Sequence, residues 1–79
     1  MSDTRPRVIK VVCQVLRTPP AVINDNSRFV EDLGAESIQS VELVAAFEEE
    51  FDIEMDEEAA LAVKNIGKAV EFIDKVRMS

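Results

Sequence analysis

Seventy-nine residues, 47% of them apolar, fit one small domain, 1–79, with a modest core. A net charge of −7 argues against nucleic acid and anionic membranes, which need clustered Lys and Arg, and points to basic protein surfaces as partners. With no histidine and one cysteine, Cys13, the chain lacks Ser-His and Cys-His catalysis, an internal disulfide and the usual zinc ligand sets.

Asp3 or Thr4 is positioned to cap a first helix, with Pro6 tolerated in its first turn. Val8, Val11, Val12, Val15 and Leu16 recur at helical spacing, and Ile9 and Cys13 widen the stripe, so Cys13 is expected to be buried. Thr18-Pro19-Pro20 ends the helix. Residues 18–36 then form a connection longer than compact domains usually contain without a use for it. Asn24-Asp25-Asn26-Ser27 is turn chemistry, and Ile23, Phe29 and Leu33 are expected to anchor the loop on the core. Val30–Leu33 is read as one helical turn, and Gly34 lets the chain bend before the next helix.

The second helix is predicted over Ser37–Phe51. At roughly 100° per residue, Ser40, Leu43, Val44, Phe47 and Phe51 share the core face. The opposite side carries Ser37, Ile38, Val41, Glu42, Ala45, Glu48 and Glu49. A small apolar centre with a carboxylate rim has the composition of a docking patch. Ser37 stands where unpaired backbone N–H groups and a partial positive charge accommodate a phosphate ester. The plain alternative is that Ser37 is only the cap of this helix.

Asp52–Asp56 reads as a turn, with Asp56 capping a short third helix, Glu57 to about Val63. Asn65 is positioned to cap a fourth, in which Ile66, Ala69, Val70, Ile73 and Val76 repeat at helical spacing and Phe72 extends the stripe. The fold class is therefore all-α: a four-helix bundle with three main helices, one short third helix and a long loop between helices one and two. Ala46, Ala59, Ala60, Ala62 and Ala69 are small residues expected to leave room between helices two, three and four.

Between Phe29 and Val63 there are twelve Asp and Glu and no Lys or Arg. Such a run costs self-repulsion, which a binding role would explain. An EF-hand does not fit it. A loop begun at Asp25 has Phe29 where an oxygen ligand belongs, and one begun at Asp32 has Leu43 where a bidentate Glu belongs. No metal site is expected. Paired-carboxylate hydrolysis lacks an inferable cleft.

Phe29-Val30-Glu31-Asp32-Leu33-Gly34-Ala35-Glu36-Ser37-Ile38, then Val41-Glu42-Leu43-Val44 and Glu48-Glu49-Glu50-Phe51, resemble an acyl carrier protein. The similarity takes in Arg7 and Val8 near the start and Ile66, Ala69 and Ile73 near the end. The resemblance implies a non-catalytic carrier whose motif serine, here Ser37, bears a covalent 4′-phosphopantetheine with acyl groups held as thioesters. It implies a phosphopantetheinyl transferase and acyl-transferring and synthase enzymes with basic docking patches as partners. Glu36, Ile38, Val41, Glu42, Ala45, Glu48 and Glu49 would meet those patches. The chain is expected to be a cytoplasmic monomer, most readily placed in fatty acid biosynthesis. A specialised carrier for a polyketide or other lipid pathway, and an acidic adaptor without a prosthetic group, are the alternatives. Glu36-Ser37-Ile38 departs from the family's usual Asp-Ser-Leu, Gln39 stands where an acidic residue is common, and Ala59–Val63 is unusually apolar.

Overall fold

The computed structural model describes residues 3–78. Helices α1 (Thr4–Leu16), α2 (Ser37–Phe51), α3 (Glu57–Leu61) and α4 (Ile66–Met78) form the expected all-α bundle, with the long connection between α1 and α2. Among the described residues the only β pairing is an isolated bridge between Arg28 and Asn65.

α1 buries Val8, Val11 and Val12, with Val15 and Leu16 partly buried against the same core. Its start departs from expectation. Asp3 holds the cap position, but its side chain caps no amide and pairs with Arg7 and Arg77 instead. Thr4 is no cap either: it is fully buried, and its hydroxyl donates to the Asp74 carboxylate. Cys13 is only partly buried, and the desolvation it does experience pushes its thiol above the ordinary value. The helix ends at Arg17, whose φ of 54° is left-handed, and the prolines then open a 3₁₀ turn over Pro20–Val22 that hydrophobic spacing does not reveal.

The long loop is fastened to the core and to α4. Ile23 and Phe29 are buried, and Leu33 is partly buried, as anchors should be. Phe29 N–H donates to Lys64 O at 3.1 Å, Ile66 N–H to Ser27 O at 3.0 Å, and Gly67 N–H to Asp25 O at 2.9 Å. At Gly67 a Cβ would lie 3.1 Å from the Asp25 carbonyl oxygen, so the glycine permits this close approach. In the predicted turn, Asp32 N–H and Leu33 N–H both donate to Arg28 O at 3.0 Å. Hydrogen bonds from the Arg28 side chain and backbone hold the Asp32 carboxyl below its ordinary pKa. Gly34 follows at φ 72°, a conformation that any side chain would strain, and turns the chain into α2.

α2 buries Leu43, Val44, Phe47 and Phe51, while Ser40 is only partly covered. At its carboxyl end two guanidinium groups lie over the Phe51 ring, Arg7 at 4.6 Å and Arg77 at 5.1 Å from its centroid. α3 is shorter than expected, ending at Leu61 rather than Val63. Its Asp56 cap is as expected, accepting from Glu58 N–H at 3.1 Å. Asn65 caps α4, its Oδ1 accepting from Lys68 N–H at 2.9 Å. Ile66, Ala69 and Ile73 turn inward from that helix as the spacing requires.

Candidate functional site: the amino end of α2 and the cavity behind it

Ser37 is the first residue of α2 and is exposed. It does not cap the helix. Glu36 holds that position with an extended backbone, and Gln39 Oε1 accepts from Glu36 N–H at 2.8 Å, closing a capping-box arrangement. The cap is therefore supplied by Ser37's neighbours, and its own hydroxyl projects at the positive end of a fifteen-residue helix. Gln39 is occupied locally rather than presented to a partner. The signal for this was in the sequence, since Gln three residues after a cap is half of the capping-box pattern.

Most of the expected outer face is displayed. Ile38 is 67% exposed and Val41 46%, large values for branched apolar side chains. Glu36, Glu42, Ala45 and Glu49 are exposed around them. Glu48 differs. It is partly buried, and its Oε2 accepts from Met55 N–H at 2.9 Å, so it holds the turn after α2 as well as edging the patch. None of these carboxylates is ion-paired with a described Lys or Arg, whereas Glu50, facing α1, is held by Arg7 at 2.8 Å and Lys10 at 3.3 Å. The hydrogen bond from Arg7 is the main reason the Glu50 carboxyl titrates below its ordinary value.

Behind this face lies a cavity of about 310 Å³ between α2, α3 and α4. That is within the range of small-molecule sites, ~300–1,000 Å³. Leu43, Val44, Phe47, Phe29 and Ile73 make its wall apolar. Ser40, Glu31 and Lys64 supply its few polar groups. Of the small residues expected to open it, Ala60 and Ala69 line it, whereas Ala46, Ala59 and Ala62 do not. Ala46 is instead packed against the core cluster. Spacing along one helix did not reveal Val30 and Lys64, because both reach the cavity from irregular segments.

An exposed serine at a helix start, with a mainly apolar cavity lined by the same helix from Ser40 onward, fits a phosphopantetheine arm that carries an apolar cargo. Comparison with known proteins agrees with that chemistry. A family model described as the phosphopantetheine attachment site matches residues 6–73. An acyl carrier protein of Phenylobacterium zucineum (strain HLK1) is 47% identical over 75 residues, covering 95% of each chain. The chain belongs to the acyl carrier protein family. A Mycobacterium tuberculosis structure described as a candidate acyl carrier protein shares the fold with a TM-score of 0.84 and 26% identity, over 91% of this chain and 96% of that one. Acyl carrier proteins are non-catalytic. Their cofactor is phosphopantetheine, and their work requires contact with synthase enzymes and with acyl chains. The prosthetic group and the partner enzymes supply the chemistry, which explains how a chain with no catalytic constellation serves a reaction pathway. Among the described residues no helix is long and apolar enough to cross a membrane.

Proposed function

We propose that residues 1–79 act as one carrier domain modified at Ser37, and that the patch centred on Ile38 and Val41 receives basic partner enzymes. One observation carries the reading. Ser37 is exposed at the start of α2 while Glu36 does the capping, so the hydroxyl is left available for a covalent role. A phosphopantetheinyl transferase would let Ser37 Oγ lose its proton and attack the pyrophosphate of coenzyme A, forming the phosphodiester to the arm and releasing the adenosine bisphosphate half, with the amino end of α2 favouring the phosphodiester's charge. When bound, the arm supplies a thiol that holds the acyl group as a thioester. The exposed Glu36, Glu42 and Glu49, with Glu48 at the edge, draw basic partners toward that serine.

Fatty acid biosynthesis in the cytoplasm is the pathway proposed. A specialised carrier is the second reading, favoured by Phe47 and Leu61 at the cavity wall, which restrict the space open to an acyl chain. Leu61 is 37% exposed, so it borders the cavity without being lost in the core. Expression in a cell depleted of its fatty acid carrier, alongside a competent transferase, separates the two. Full rescue with normal fatty acid composition supports the general carrier.

The direct test is intact mass after incubation with coenzyme A and a phosphopantetheinyl transferase. One arm should be gained by the natural chain and none by Ser37→Ala, whose helical CD signal should persist. Labelling of the Ser37→Ala protein, for example at Ser40, would overturn the assignment.

A further inference from the structure

A second depression lies across α3 and α4, on the far side of one wall of the cavity. Val63, Lys64 and Phe72 line both spaces, so the two adjoin at these residues. The outer groove is bordered by Lys64, Lys68 and Lys75, three of the four lysines in a chain of net charge −7. Glu71 also lines it and pairs with Lys68 at 3.5 Å, both side chains being about two-thirds exposed. Lys64 has no carboxylate within ion-pair distance among the described residues. The inner space is walled mainly by apolar side chains, with Lys64 at its border, and the outer groove sets three lysines and Glu71 around Ala59, Ala62, Val63 and Phe72.

We propose that this groove is a subsite for the far end of an acyl chain that terminates in a carboxylate. The inference rests on the carrier reading and adds the class of cargo. A methyl-ended chain gains by remaining inside the apolar cavity. An ionised carboxylate is poorly served against that wall, where desolvation is costly and the one lining cation, Lys64, stands at the border shared with the outer groove. The outer groove begins at Phe72, which is only partly buried, and carries the cluster of lysines. A chain long enough to fill the cavity therefore places a terminal carboxylate among Lys64, Lys68 and Lys75, where water and cations both serve it.

The test loads the full chain with tetradecanedioyl, tetradecanoyl or monomethyl tetradecanedioyl phosphopantetheine from the matching coenzyme A derivatives. Loading at Ser37 is read by intact mass and position by backbone amide NMR. The free-carboxylate form should shift the Lys64, Lys68, Phe72 and Lys75 amides. The methyl-ended form and the neutral ester should leave Lys68 and Lys75 unshifted. Lys64→Gln/Lys68→Gln/Lys75→Gln, all at exposed positions, should remove the difference between acid and ester. Equal shifts for acid and ester, or no shift at Lys68 and Lys75, would overturn the groove while leaving the carrier intact. Absence of any mass gain at Ser37 would overturn the carrier reading and this one with it.

Discussion

At the residue scale, the start of α2 shows how a serine hydroxyl is kept free of capping. The extended Glu36 backbone and the Gln39 amide close the helix, so Ser37 is relieved of the commonest duty of a serine in that place. Gln39→Ala leaves the Glu36 N–H to solvent, and the expected loss is about 0.5 kcal/mol, or about 2–4 °C in melting temperature. Gln39→Glu keeps the accepting oxygen and should restore the midpoint. A thermal melt of the two variants checks this. A residue that first looks like a lost charge beside Ser37 thus has a local structural role. Sequence reading alone placed Ser37 at the helix start, but could not tell whether it capped, because Ser and Glu are both able to occupy the boundary.

At the element scale, helical spacing made most of the bundle legible. The inward residues of α1, α2 and α4 fall where a period of 3.6 puts them. What spacing could not show was decided by long-range contacts. Thr4 is drawn inward by Asp74, seventy positions away in sequence. The shape of the loop depends on backbone bonds to the start of α4. Glu48 looked like one more rim carboxylate, and only the returning chain at Met55 gives it a second role. This alters how the docking face should be tested. Glu42→Lys with Glu49→Lys changes charge on exposed positions alone. It should slow transfer of the arm by about tenfold at low salt and by less at high salt, as expected for a few exposed pairs each worth ~0.2–1 kcal/mol. Glu48→Lys should also lower the melting temperature, so it confuses stability with docking. Stopped-flow or mass-resolved transfer rates at two ionic strengths distinguish the cases. The cavity belongs to the same scale. Burial of each methylene is favourable by ~0.8 kcal/mol, so a medium-chain acyl form should melt above the unacylated holo form. Equal midpoints would show that the chain stays outside.

At the scale of the whole molecule, charge pulls in two directions. Asp3 and Glu50 titrate below their ordinary values of 3.8 and 4.5, chiefly through hydrogen bonds from Arg77 and Arg7 respectively. A carboxyl with a depressed folded-state pKa contributes stability that is present above its unfolded value and lost as pH falls through the folded one. These pairs should therefore fail below about pH 4. Asp32, gripped by Arg28, behaves in the same sense. The net charge of −7 acts oppositely, as self-repulsion along the carboxylate run that salt screens. Stability should fall below about pH 4, and at neutral pH it should rise with added salt. Glu50→Gln should flatten the acid limb. Melting temperature against pH at two salt concentrations reads both.

The Phe51 clasp also fixes where the chain can be joined to something else. Arg77 Nη1 meets Asp3 Oδ1 at 2.7 Å, and both Arg7 and Arg77 cover the ring, so the first and last described turns are gathered at the carboxyl end of α2. Ser37 stands at the other end of that helix, which at 1.5 Å per residue is ~20 Å away over its fifteen residues. A fusion partner joined beside Asp3 or Met78 therefore begins its path remote from Ser37. A short peptide bridging the two ends would give a cyclic chain that could be reopened at the exposed 3₁₀ turn with its helical order preserved.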